Sequence, residues 1–131
     1  FDRFVAQFEG KDLNRVANLP RRFIDSKTEV AMDVLIAGVL AGNTEKNKSV
    51  RFPDPKDAEV HEDIRTVSLP KLIELKLVTW RFKDWGDVVE LIRRNQLTED
   101  FAAQLDASVR SAYKQCFDQA IDPQYGEHSR P

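Results

Sequence analysis

Three carboxylates, Asp33, Asp84 and Asp87, and three cations, Lys76, Arg81 and Lys83, are residue types that could serve phosphate or metal chemistry. Lys76 is the most informative. A helix over residues 68–80, at about 100° per residue, gathers Leu69, Leu72, Ile73, Leu77 and Trp80 into one apolar stripe with Lys76 in its middle. Lys71, Glu74 and Val78 take the other side, so a polar face was already available for this charge. An unpaired ammonium is costly to bury. Lys76 therefore either snorkels to a nearby surface or pairs with a carboxylate or a ligand phosphate.

The next helix, over residues 83–95, supplies the carboxylates. Trp85, Val88, Val89 and Ile92 form its buried stripe. Asp84 falls inside the apolar arc and Asp87 on the same flank, three residues on. Arg81 and Lys83 precede them at the tight turn that joins the two helices. Two readings stand: an interhelical clasp, or a cluster that holds a triphosphate.

Asp33 lies on the strand expected over residues 30–37. Val30, Met32, Val34 and Ile36 project to one face; Ala31, Asp33, Leu35 and Ala37 project to the other. Both faces are apolar, which predicts a central strand covered on both sides. An aspartate there needs a partner, a metal or an exit to a cleft. Arg21 or Arg22, across a hairpin from a strand at 21–25, is the plain partner.

The elements that must position these groups follow from periodicity and punctuation. Phe1, Phe4, Val5 and Phe8 mark a helical face that Gly10 stops. A short strand over 13–17 ends at the Asn18-Leu19-Pro20 break, and Ser26-Lys27 turns the chain between the two later strands. Residues 38–48 read as a loop whose glycines are too sparse for a phosphate-binding loop. Phe52-Pro53-Asp54-Pro55 is extended. Two short strands over 58–60 and 64–67 flank a turn at Glu62-Asp63, with His61 exposed beside it. Ser68 caps the helix of Lys76, with Pro70 in its first turn. Thr98 is expected to cap a third helix with Phe101, Leu105, Val109, Ala112, Cys116 and Ala120 along one side. Residues 122–131 read as a flexible tail.

Composition narrows the function classes. The chain has 131 residues, 41% hydrophobic and 32% charged, which predicts one domain with a modest core. Twenty basic residues against 22 acidic, with no basic block, give no support to general DNA binding, though a local site for a nucleotide or an RNA end stays open. Cys116 is the only cysteine, on an apolar helix face, so a buried structural thiol is expected and a disulfide is not. Two histidines without a Cys/His cluster argue against zinc. No run is long and apolar enough for a membrane span. A cytoplasmic location is the expectation.

The run Val67-Ser68-Leu69-Pro70-Lys71-Leu72-Ile73-Glu74-Leu75-Lys76-Leu77, followed by Arg81-Phe82-Lys83-Asp84-Trp85-Gly86-Asp87-Val88, resembles the downstream motif pair of nucleotidyltransferase-like proteins. These are relatives of abortive-infection toxins and minimal nucleotidyltransferases. Their pattern is a Leu-rich helix ending in Lys, then Arg-x-(Lys/Arg)-Asp-x-x-Asp. VAMDVLIAG over 30–38 resembles the family's strand bearing its third acid, and Phe52-Pro53-Asp54-Pro55 and the helix from Phe101 to Tyr113 keep its order.

The resemblance implies an α+β fold, a mixed or antiparallel sheet with a C-terminal three-helix segment, in one domain over residues 1–121. It implies NTP-dependent transfer of a nucleoside monophosphate to a protein hydroxyl or an RNA end, with Mg2+, in the setting of a toxin–antitoxin pair. Asp33 would be the third carboxylate, ligating metal or activating the attacking hydroxyl. Lys76 would meet nucleotide phosphate, Asp84 would orient Lys76 or the acceptor, and Arg81, Lys83 and Asp87 would complete the nucleotide site. The implied partners are a nucleotide and a cognate protein or tRNA-like RNA. The family also carries a Gly-Ser or Gly-Gly turn and an Asp-x-Asp strand, which this chain lacks. The chain opens on Phe1, so the metal-binding segment is expected to be missing upstream and the chain alone inactive. The rival expectation is a non-catalytic nucleotide- or protein-binding module on the same scaffold.

Overall fold

Short polar turns divide the first third of the chain into an antiparallel meander. The computed structural model describes residues 1–125. Helix α1 (Asp2–Phe8) leads through Gly10, at φ +77°, into strands β1 (Leu13–Val16), β2 (Leu19–Asp25) and β3 (Ala31–Asp33), ordered β1-β2-β3. Asn18 makes the first turn with φ 62°, a conformation its short polar side chain tolerates. Leu19 and Pro20, expected as a break, instead open β2, where a proline costs little because Pro20 faces no paired residue in either neighbouring strand. The Asp25 carboxylate accepts from the Lys27 and Thr28 N–H groups and shapes the second turn. Phe23, fully buried, collects the Phe1 and Phe4 rings at 6.4 and 5.3 Å.

The strand expected over 30–37 is corrected by the structure. β3 keeps three residues and pairs only with β2, so it is an edge strand, and Val30, Met32 and Leu35 are exposed. An apolar run marks a central strand only when layers cover both faces. Here neither face is covered.

Contacts divide the chain into two compact units, residues 1–36 and residues from 37 onward. The second begins with an irregular but closely bonded loop. Asn47 is buried, donates to the Ala41 and Val50 carbonyls at 2.7 Å each, and accepts from Ser49 N and Val50 N. That fills all four of its side-chain bonding positions. Gly42 lies so close to the end of the next helix that a Cβ would sit 2.3 Å from the Val78 carbonyl oxygen, and its φ of +63° excludes most other residues as well.

After a 3-10 turn (Pro55–Asp57) comes the expected hairpin, β4 (Glu59–His61) and β5 (Ile64–Thr66). Glu62 and Asp63 both take positive φ, as a two-residue hairpin turn of type I′ requires. Helices α2 (Leu69–Leu77), α3 (Phe82–Arg94) and α4 (Arg110–Ile121) follow. Ser68 caps α2 by accepting from Lys71 N. The core joins Ile73, Leu77, Val88, Ile92, Tyr113 and Cys116 from all three helices. Burial pushes the Cys116 thiol up to about 11 and the Tyr113 phenol up to about 12; the Tyr113 hydroxyl donates to the Thr98 carbonyl.

The third helix starts twelve residues later than Thr98. Residues Glu99–Gln104 and Ala107–Val109 are 3-10 turns, and the Thr98 side chain caps nothing. Asp106 explains the interruption. Its N–H donates to the Glu74 carboxylate at 2.8 Å instead of a helical carbonyl, while its own side chain accepts from Ser108 N. Of the expected tail, Asp122–Tyr125 is tied down: Arg93 donates to the Tyr125 carbonyl and lies 5.4 Å from its ring. Residues 126–131 lie outside the described residues. The architecture is thus α+β, with antiparallel sheets and several helices. Among the described residues no helix is long and apolar enough to cross a membrane.

Candidate functional site

The turn between α2 and α3 brings five of the six sequence-selected residues onto one short stretch of chain. α2 ends at Leu77 because Val78, Thr79 and Trp80 fold back, and Trp80 adopts φ 58°. The Thr79 hydroxyl donates to the Lys76 carbonyl and accepts from Arg81 N, locking the turn. Trp85 Nε1 donates to the Leu77 carbonyl at 3.0 Å, which fixes α3 against the end of α2.

Within that frame Lys76 Nζ reaches Asp87 Oδ2 at 2.7 Å and Asp84 Oδ1 at 3.3 Å. Arg81 Nε reaches the second Asp84 oxygen at 2.6 Å. The hydrogen bond that Lys76 donates to Asp87 is the main reason its ammonium titrates above its ordinary value. Burial pushes the Asp84 carboxyl up, but Thr79, Arg81 and Lys76 outweigh it and hold the group below the ordinary carboxylate range. Lys83 is exposed. The two helices therefore meet through a four-residue ionic network, the contact that the wheel and the short connection predicted.

One feature of α2 differs from the sequence reading. The helix buries Ile73, Glu74 and Leu77, so the charge inside is Glu74, which the wheel placed on the polar side. Lys76 sits on the flank of this face, with 31% of its side chain exposed. Glu74 is paired with Lys71 and accepts the Asp106 N–H, both carboxylate oxygens being used. Its second partner lies 32 residues onward, beyond the reach of any helical pattern. The i, i+3 spacing to Lys71 was the only local signal of this pair.

Asp33 belongs to the first unit. Its two oxygens accept from Arg22 Nε and Nη2, each at 2.7 Å, in the bidentate form that matches a carboxylate to a guanidinium. That bonding holds the Asp33 carboxyl below its ordinary range. Among the described residues no group of three His, Cys, Asp or Glu side chains converges as a metal site requires. With both its oxygens bonded to Arg22, Asp33 does not by itself fit a Mg2+ site.

A cleft of about 670 Å3 opens beside the start of α2, lined by Phe52, Pro53, Arg65, Ser68 and Lys71 among others. None of Lys76, Arg81, Lys83, Asp84 and Asp87 lines it. Its two cations are engaged, Arg65 by the Pro55 carbonyl and Lys71 by Glu74. No family model matches the chain, and no curated protein or solved structure matches it significantly.

Proposed function

We propose that this chain is a cytoplasmic nucleotide-binding module on a nucleotidyltransferase-like scaffold, and that by itself it transfers no nucleotidyl group. The observation that carries the reading is the state of the Lys76 ammonium. It has three N–H donors, two of which serve Asp84 and Asp87, and it is still partly open to solvent. The third donor is free for a phosphate oxygen. Arg81, with 71% of its side chain exposed, and Lys83 stand on the same turn. Three cations against two carboxylates leave one net positive charge, to which a phosphate chain is complementary.

In-line nucleotidyl transfer needs carboxylates that hold metal at the reacting phosphate. Asp33 is the one acid the resemblance offers for that task, and its oxygens serve Arg22. The transferase reading, with Mg2+, an NTP, a protein hydroxyl or RNA end as acceptor and a toxin–antitoxin setting, rests on the resemblance and calls for acids beyond Asp33. Equilibrium titration with a fluorescent ATP analogue, beside incubation with labelled NTPs and Mg2+, tests the proposal. Saturable binding without label transfer is the expected outcome. Label transfer abolished by Asp33→Asn would overturn it.

A further inference from the structure

Residues 80–83 read Trp-Arg-Phe-Lys, and all four are exposed. Phe82 is 95% exposed, the most open large apolar side chain among the described residues, and Trp80 is 48% exposed. Trp80 also carries the backbone strain of this turn. Its φ of 58° is a left-handed conformation that bulky residues rarely adopt and that glycine normally supplies after a helix. The Trp85 ring lies 5.4 Å from the Trp80 ring, and Lys46 Nζ stands 4.4 Å from the Trp80 ring centre. Lys46 comes from the loop that Gly42 and Asn43 press against the end of α2, Asn43 N donating to the Val78 carbonyl at 2.7 Å. The strained turn thus presents one open ring, Phe82, beside a half-exposed Trp80 that carries the Lys46 ammonium, when a glycine or a polar residue would have been cheaper at both positions.

We infer that this turn is a docking surface for a single-stranded nucleic acid, with a base stacking on Phe82 and phosphates meeting Arg81, Lys83 and the Lys46 ammonium held on Trp80. Ring and cation alternate along the four residues, as base and phosphate alternate along a strand. Stacking on an aromatic face is open to every base, and flanking cations track the backbone. Charge favours the same occupant: Arg81 and Lys83 are exposed on either side of Phe82 in the chain, Lys46 lies on Trp80, and Glu45 is the exposed carboxylate of the Lys46 loop. A duplex keeps its bases stacked on each other, so its faces are closed to these rings. An acidic peptide would use the cations and leave Phe82 without a role. The surface shares Arg81 and Lys83 with the proposed nucleotide site, but it rests on the rings and Lys46, which take no part in holding Lys76.

Fluorescence anisotropy of a fluorescein-labelled oligouridine of about a dozen nucleotides tests the inference. Three neutralised phosphates predict a slope of log affinity on log salt of about −2, from ~0.7 per phosphate on a single strand. Phe82→Ala should weaken binding about tenfold with unchanged melting, since the ring is almost wholly exposed. Lys46→Gln should reduce the slope by about 0.7. Titration of the same variants with the ATP analogue separates the two proposals: Phe82→Ala is expected to keep ATP binding, and Lys76→Met to keep oligonucleotide binding. Wild-type affinity in Phe82→Ala would overturn the inference. So would equal binding of a duplex of the same length, competition by polyglutamate as strong as by RNA, or preferential capture by phosphatidylserine vesicles.

Discussion

The Arg22–Asp33 pair on β2 and β3 and the Lys76–Arg81–Asp84–Asp87 network on α2 and α3 use the same ionic chemistry at opposite burial. Asp33 has 53% of its side chain exposed, Asp84 only 6%. Water screens the first pair, so its good geometry fixes register across an edge strand and adds little stability. The second has lost water around one carboxylate, and two cations replace it. Removing Lys76 or Arg81 leaves the buried Asp84 carboxylate short of a partner, which costs more than the pair itself contributes. Position, more than residue type, separates a decoration from a joint.

Asp84→Ala should produce the largest effect, a loss of about 3 kcal/mol read from denaturant midpoints, because the charge-assisted bonds from Lys76 and Arg81 are lost together. A loss no larger than that of an exposed pair would erase the contrast. The same carboxylate sets a pH signature. Its folded pKa is held below its unfolded one, so its stabilisation is complete above the unfolded carboxylate value and disappears as pH falls through the folded one. Asp84→Asn should therefore flatten the stability profile below about pH 4 relative to the native chain.

Glu74→Gln extends the comparison to the second buried carboxylate. It should cost about 2 kcal/mol, since the bonds to Lys71 and the Asp106 N–H are charge-assisted. Hydrogen exchange at the Asp106 amide should accelerate in that variant; an unchanged rate would remove Glu74 as the anchor of the 3-10 segment. Asp33→Asn should be the mildest, within about 0.5 kcal/mol of the native chain. A larger loss would place Asp33 among the joints.

The helical network was legible because both its causes are local. A 3.6-residue period aims Asp84 and Asp87, and a four-residue connection brings Lys76 to them. That Asp33 meets an arginine across the hairpin was legible for a similar reason, though the sequence left Arg21 and Arg22 open and only the strand register sets Arg22 opposite it. Glu74 was not, because its burial depends on Asp106, and the same long-range bond breaks the helix expected from Thr98. Asn47 was hidden in a loop whose closure depends on bonds to Ala41 and Val50, which no periodicity encodes. β3 failed differently: its apolar residues are real, but the layers that such a run normally implies do not cover it.

The central claim is that Lys76 joins the two helices and still has a donor for phosphate. Titration of native protein and Lys76→Met with the fluorescent ATP analogue, each checked for a cooperative melt, tests it most directly. Binding at least about tenfold weaker is expected in the folded variant, from loss of one charge-assisted contact. Native affinity in a folded Lys76→Met protein would contradict it and leave the network a clasp alone.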